Sequence, residues 1–125
     1  MSNTRTILIV DDEPVARDAL ARLLTARGYD TLTAADSQEA MQQMASRPAD
    51  VVLLDLDLPH VPGESVAAFL QLRHPKARII FMSGQYDMVD PERFGENTLY
   101  FPKPLNIGNL LDALQSTPQP ETSSQ

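Results

Sequence analysis

The chain has 125 residues, 42% apolar and 22% charged, which is the size and composition of one compact globular domain. It contains no cysteine, which excludes disulfides and thiolate metal sites and favours a reducing compartment, so we expect a cytoplasmic location. No apolar run reaches the ~20 residues of a membrane span, and the net charge of -7, with scattered basic residues, argues against membrane insertion and direct nucleic-acid binding.

Short apolar runs alternate with amphipathic stretches along the chain, a pattern typical of βα units built around a parallel sheet. Strands are predicted at 6–10, 29–34, 50–54, 77–82 and 98–101. The first and third runs are apolar nearly throughout, as strands covered on both faces must be. We therefore expect an α/β domain with those two strands at its centre.

Four amphipathic stretches predict helices with recognisable ends. Pro14 opens the first helix, which runs up to Gly28, and Asp36 with Glu39 forms a capping box at the second. His74 ends the third helix, and Asn106 caps the last. The residues predicted to face inward on the first and third are Ala16, Ala19, Leu20, Leu23 and Leu24, and Val66, Phe69 and Leu70.

Two segments are less regular. Residues 84–97 contain Gly84, Pro91 and Gly95, so the helix expected between the last two strands is predicted to be short or irregular. Residues 116–125 are rich in Ser, Thr and Pro and are predicted to be a flexible tail or linker. The folded domain is expected to span residues 5–115.

Polar side chains follow four of the predicted strands. Asp11 and Asp12 follow the first strand, Asp55 and Asp57 the third, Ser83 the fourth and Lys103 the last. Because the carboxyl ends of parallel strands share one edge of the sheet, where open α/β folds bind ligands, we expect these side chains to meet there. Each motif alone fits a helix cap, a turn or a solvated loop equally well.

The combination indicates Mg²⁺ and a phosphoryl group. Carboxylates that converge at one site repel one another, and a divalent cation relieves this repulsion, so Asp12 and Asp55 are candidate Mg²⁺ ligands. A carboxylate can then attack phosphorus, and Asp55 is the candidate nucleophile. The Lys103 ammonium and the Ser83 hydroxyl would bind the oxygens of the transferred group.

Four motifs in this order resemble those of a two-component response-regulator receiver domain similar to chemotaxis regulators. The motifs are Asp11-Asp12, Asp55-Leu56-Asp57-Leu58-Pro59 with Gly63, Met82-Ser83-Gly84 and Lys103-Pro104. The resemblance implies a single doubly wound, five-stranded parallel sheet in the flavodoxin-like order 2-1-3-4-5, with helices on both faces.

The resemblance also implies residue roles. Asp55 would be phosphorylated, and Asp12, Asp55 and the Asp57 backbone carbonyl would bind Mg²⁺, with Asp11 acting through water. Ser83 and Tyr100 would be the switch residues, and Pro104 would follow a cis peptide bond. The partners implied are a histidine kinase or histidine phosphotransfer protein of a phosphorelay, a downstream target or an effector domain beyond this segment, and a phosphorylation-dependent homodimer.

One feature departs from the family pattern, and two alternative functions remain open. Pro102 lies directly before Lys103 and is expected to end the last strand early. The alternatives are a phosphohydrolase similar to haloacid dehalogenases, with Asp57 as acid/base, and a degenerate receiver that binds partners without phosphorylation. We expect a domain that promotes its own phosphorylation and dephosphorylation, rather than a turnover enzyme.

Overall fold

The computed structural model describes residues 5–59, 61–84 and 98–116. In these ranges the strands are β1 (Thr6–Val10), β2 (Asp30–Ala34), β3 (Val51–Asp55), β4 (Arg78–Ser83) and β5 (Thr98–Pro102). The helices are α1 (Pro14–Ala26), α2 (Ser37–Ser46), α3 (Gly63–Arg73) and α4 (Ile107–Ser116). The irregular helix predicted at 84–97 lies outside the described residues from 85 onward, as does the tail after Ser116, so both remain predictions.

The five strands form one parallel sheet in the order β2-β1-β3-β4-β5, which confirms the predicted fold. β1 and β3 lie inside the sheet, and every β3 residue is buried. The chain leaves β1 toward β2 on one side and returns to β3 on the other. A crevice therefore opens beyond the carboxyl ends of β1 and β3, as expected where strand order reverses.

Two apolar cores cover the two faces of the sheet, because alternate residues of each buried strand point to opposite faces. One face packs against α2 and α3, and its largest members include Leu8, Leu54, Met44, Leu70 and Phe81. The other packs against α1 and α4 and includes Ile9, Leu53, Leu24, Ile80 and Leu110. None of the helices described could cross a membrane.

Local hydrogen bonds fix the helix ends. At the end of α1, Gly28 has φ of 97°, and its N–H donates to Thr25 O while Tyr29 N–H donates to Leu24 O, which is a Schellman motif. Asp36 Oδ1 accepts the Glu39 N–H at 2.8 Å at the start of α2. Asn106 Oδ1 accepts the Asn109 N–H at 3.0 Å at α4. Both predicted N-caps are confirmed.

Three details of the prediction were wrong. Ala16 and Ala19 are exposed, because a groove separates this part of α1 from the chain after β5. Phe69 is 38% exposed and carries the Arg73 guanidinium 4.9 Å from its ring centre, since α3 buries Val66, Ala67 and Leu70 instead. These differences concern which residues of α1 and α3 are buried, and not where the two helices lie.

Pro102 does not end β5 early. It pairs with Ser83, and the next residue, Lys103, donates its N–H to the Ser83 carbonyl at 2.8 Å. Within the described sheet β5 is an edge strand, where a residue without an N–H can be accommodated. The hydrogen bonding therefore continues up to the lysine and fixes the start of its loop.

Candidate functional site

The carboxyl edge of the sheet carries the predicted polar side chains. Asp11 directly follows β1, Asp55 ends β3, Ser83 ends β4 and Lys103 directly follows β5. Asp11, Asp55 and Ser83 are 4%, 1% and 2% exposed, which is unusual for polar residues in a small domain. Their burial at one edge of the sheet marks this edge as the functional site.

Asp55 lies at the centre of the site and is held by two hydrogen bonds. Its Oδ1 accepts the Asp57 N–H at 2.8 Å, and its Oδ2 accepts a hydrogen bond from Lys103 Nζ at 2.9 Å. Lys103 Nζ also lies 3.9 Å from Asp11 Oδ2. The lysine after β5 therefore forms ion pairs with both Asp11, after β1, and Asp55, at the end of β3.

Burial raises the pKa of Asp55 above its ordinary value, and the nearby charge of Asp11 adds to the rise. The Asp57 N–H and the Lys103 ammonium act in the opposite direction but do not outweigh burial. Burial lowers the pKa of Lys103, but its hydrogen bond to Asp55 and the charges of Asp55, Asp11 and Asp57 outweigh this and raise it. Both pKa values are raised, which means that the site favours bound protons and therefore additional positive charge.

Three carboxylates form a group that fits a hard divalent cation. Oxygens of Asp11, Asp12 and Asp55 all lie within 4.8 Å of one another, and Asp12 is the exposed member. Mg²⁺ prefers oxygen ligands and retains several waters, so a group of carboxylates open to solvent on one side suits it. The donor set therefore fits Mg²⁺, and the exposure of Asp12 leaves a route for the ion.

Asp57 has a role that the sequence did not predict. Its carboxylate is not part of the acidic group; instead, Oδ1 accepts the Ser83 hydroxyl at 3.0 Å and Oδ2 accepts the Gly84 N–H at 3.0 Å. The prediction had given Asp57 a function mainly through its backbone. The adjacency of β3 and β4 is the signal that could have revealed this contact.

β5 and the chain directly after it contain the other two predicted features. The Tyr100 side chain is half-buried against the core beneath α2 and α3, and its hydroxyl donates to the Ser83 carbonyl at 3.3 Å. The Lys103–Pro104 peptide bond is cis, as predicted. Tyr100 and Lys103 thus both contact the Ser83 backbone.

Arg17 also supports the site and was missed. Its Nη1 donates to the Asp11 carbonyl at 3.1 Å, while the Glu13 N–H donates to Asp11 Oδ1 at 3.0 Å. These contacts fix the turn between β1 and α1 that presents Asp11 and Asp12. An arginine one turn into a helix that follows a pair of aspartates was a signal available in the sequence.

A groove of about 410 Å³ lies beside the acidic group. Its walls are mainly apolar: Ala16, Ala19 and Leu23 come from α1, and Pro104, Leu105 and Ile107 from the chain after β5. Asp11 and Lys103 line it as well, so the groove reaches the site.

Comparison with known proteins identifies a family whose model matches most of this chain. The family model described as "Response regulator receiver domain" matches residues 7–115. The "Positive alginate biosynthesis regulatory protein" of Pseudomonas aeruginosa is 37% identical over 118 residues, covering 91% of this chain and 47% of that protein. The "Sporulation initiation phosphotransferase F" of Bacillus subtilis is 30% identical, covering 87% and 90% of the two chains. This chain therefore spans about half of the first relative and most of the second.

Solved structures resemble the whole domain. The response regulator protein TrrA from Thermotoga maritima, in complex with Mg(2+)-BeF, has a TM-score of 0.81 at 28% identity and covers 92% of this chain and 100% of its own. A CheY-like receiver domain protein from Methanospirillum hungatei has a TM-score of 0.81 at 25% identity and covers 90% and 92%.

Proposed function

Because this chain belongs to the family of response regulator receiver domains, which act in two-component signalling, we propose that Asp55 is its phosphoacceptor residue. The observation that carries the proposal is the environment of its carboxylate. Asp55 is buried, contacts the Lys103 ammonium at 2.9 Å, and shares an acidic group with Asp11 and Asp12. The family match does not favour the phosphohydrolase or degenerate-receiver alternatives.

The donor in this proposal is a phosphohistidine of a histidine kinase or phosphotransfer protein. An Asp55 carboxylate oxygen forms a bond to phosphorus while the phosphorus–nitrogen bond breaks and leaves its electron pair on the imidazole, which gives an acyl phosphate. Such transfers depend mainly on positioning and electrostatic stabilisation, because charge spreads over the phosphoryl oxygens. Lys103 Nζ is close enough to Asp55 to bind one of these oxygens.

Asp12 and Asp55 would hold Mg²⁺, together with the Asp57 backbone carbonyl, and Asp11 would act through a metal-bound water. When bound, the ion supplies positive charge that keeps the carboxylates ionised and attracts phosphoryl oxygens. Lys103 contributes a second positive charge from the chain directly after β5. Burial of Asp55 strengthens these interactions because solvent screens them less.

The switch in this proposal is Ser83 with Tyr100. Ser83 would donate its hydroxyl to the phosphoryl group, and its backbone carbonyl, which accepts hydrogen bonds from both Tyr100 and Lys103, would follow. Movement of Ser83 would thus be transmitted to the aromatic ring of Tyr100. Phosphorylation adds charge and acceptor oxygens at one point, which is sufficient to shift a two-state element.

Partners follow from the same proposal. A donor protein must contact the surface around Asp55, and the apolar groove between α1 and the chain after β5 offers a contact surface next to it. The output would pass to a protein target or to an effector domain beyond this segment, through a changed interaction surface or a phosphorylation-dependent homodimer. The cytoplasmic location remains part of the proposal.

Acetyl phosphate labelling followed by intact-mass spectrometry tests the phosphoacceptor. The wild-type chain should gain one phosphoryl group in Mg²⁺ and none after chelation, and Asp55→Asn should gain none. Lys103→Ala should label poorly, whereas Lys76→Ala, which changes an exposed lysine before the amino end of β4 and so at the opposite edge of the sheet from the site, should label normally.

Three results would contradict the proposal. Metal-independent labelling would contradict the Mg²⁺ site, and absence of labelling in the folded wild type would favour a degenerate receiver. Continuous release of phosphate from phosphomonoesters would favour a phosphohydrolase.

A further inference from the structure

The Asp57 carboxylate binds two hydrogen-bond donors at the end of β4. The Ser83 hydroxyl donates to Oδ1 and the Gly84 N–H donates to Oδ2, both at 3.0 Å. Hydrogen bonds to a carboxylate are stronger than those between neutral groups. The exposed Asp57 therefore holds the end of β4 through two charge-assisted contacts.

The same residue also contacts Asp55. The Asp57 N–H donates to Asp55 Oδ1 at 2.8 Å, and the Leu56 N–H donates to the Met82 carbonyl at 2.8 Å. Asp55 pairs with Met82 in the sheet, so Ser83 lies one residue beyond the partner of Asp55. Asp57 consequently links the proposed phosphoacceptor, through its backbone, with the proposed switch hydroxyl, through its side chain.

Each of these donors has a single hydrogen to give. A serine hydroxyl carries one O–H donor, and a backbone amide carries one N–H. In this structure both hydrogens point to the Asp57 carboxylate. A phosphoryl group on Asp55 that needs the Ser83 hydroxyl must therefore displace the Asp57 carboxylate from it.

We propose that the Asp57 carboxylate is a built-in competitor of the phosphoryl group, which holds the Ser83 hydroxyl and the Gly84 amide until phosphorylation withdraws them. This inference rests on the proposed phosphorylation of Asp55. The contact opposes the switched arrangement in the unphosphorylated chain and weakens binding of any phosphoryl mimic. Removal of this contact therefore lowers the free energy needed to reach the switched arrangement.

The negative charge of Asp57 alone could also oppose a phosphoryl group, by repulsion. The two explanations differ in their dependence on Ser83. Repulsion acts whether or not residue 83 has a hydroxyl, whereas competition for that hydroxyl ends when the hydroxyl is removed. A double-mutant cycle between Asp57 and Ser83 separates them.

The probe is beryllofluoride, a phosphoryl mimic, titrated at saturating Mg²⁺ and followed by calorimetry. Loss of a competing charge-assisted hydrogen bond in Asp57→Ala should tighten binding roughly tenfold. Asp57→Asn keeps one acceptor oxygen for Ser83 but none for Gly84 and should give a smaller gain. In the Ser83→Ala background, Asp57→Ala should increase the affinity for beryllofluoride only roughly threefold. This remaining gain is the contribution of the Gly84 amide.

Two controls support the interpretation. Asp112→Asn removes one negative charge from an exposed position on α4 and should leave the affinity unchanged. The Gly84 amide proton should move upfield in ligand-free Asp57→Ala, because its hydrogen bond to a carboxylate is lost.

An equal gain from Asp57→Ala with and without the Ser83 hydroxyl would overturn the competition. So would an unchanged Gly84 amide shift in the folded variant. Failure of the wild-type chain to bind beryllofluoride and to label at Asp55 would instead contradict the proposed function.

Discussion

Asp55 is buried among carboxylates, so its charge opposes folding when no metal is bound. Its pKa in the folded chain lies above the ordinary value of 3.8. The folded state therefore binds this proton more tightly than the unfolded state does. The resulting stabilisation is complete below the unfolded pKa and is lost as pH rises through the folded pKa.

We expect Asp55→Asn to be more stable than the wild type at neutral pH in chelator, because it removes a charge that burial and the nearby Asp11 disfavour. The asparagine oxygen can still accept from Lys103, which also keeps Asp11 at 3.9 Å, so the lysine retains partners. Urea unfolding at a series of pH values measures the effect. The difference between the two proteins should shrink as pH falls through the folded pKa of Asp55 toward 3.8 and below. Asp112→Asn should show no such gain, and a less stable Asp55→Asn at neutral pH would contradict this view of the site.

At the scale of single elements, α2 depends on a capping box. Asp36 Oδ1 accepts the Glu39 N–H at 2.8 Å, and Glu39 Oε1 accepts the Ala35 N–H at 2.7 Å. The first contact satisfies an N–H that the first turn of the helix leaves without a partner, and the second binds the N–H of the residue before the N-cap. Asp36 thus fixes the start of a helix whose Ala40 and Met44 are fully buried.

Asp36→Ala should lower the free energy of unfolding by about 1 kcal/mol, the usual cost of losing such a cap. Gln38→Ala changes an exposed residue in the same turn and should have an effect within about 0.5 kcal/mol. Chemical denaturation of both variants measures the difference. Equal stability of the two variants would show that the cap contributes little to this helix.

The positions of strands and helices could be predicted because each has a local signal. Fully apolar runs identified β1 and β3, and the caps at Asp36 and Asn106 identified helix starts. Several observed strand ends differ by one residue from the predicted ones, because an apolar run does not show where the backbone pairing stops. The exposure of Ala16 and Ala19 was not predictable, because helical periodicity gives the inner face of α1 but not how far its partners extend.

Most residues of the candidate site could be predicted because each comes at the end of a strand. Asp11, Asp55, Ser83 and Lys103 follow strands, and a parallel sheet gathers such residues at one edge. The predicted strand order already placed β4 beside β3, but the contacts of the Asp57 carboxylate depend on the register of that pair and on the direction of the side chain, which the sequence pattern does not give. That adjacency joins Asp57 to Ser83, which is 26 residues away in sequence.

At the scale of the whole molecule, a bound cation links the site to global stability. The chain carries a net charge of -7, and its acidic group brings three carboxylates together near a single described ammonium. An ion that binds the folded state alone stabilises it in proportion to the logarithm of its concentration. Mg²⁺ should therefore raise the melting temperature, whereas a protein without this site would respond only to ionic strength.

At a Mg²⁺ concentration ten times its dissociation constant, the stabilisation should be ~1.4 kcal/mol. For a domain of this size, that corresponds to a rise in melting temperature of roughly 5 °C. Thermal unfolding in Mg²⁺ and in NaCl of matched ionic strength measures it, since salt alone also screens the repulsion within an acidic chain. Asp12→Asn should lose most of the Mg²⁺-specific rise while changing metal-free stability little, because Asp12 is exposed. Asp112→Asn should keep it. A rise that persists in Asp12→Asn, or one that NaCl reproduces, would mean that the acidic group does not bind the ion.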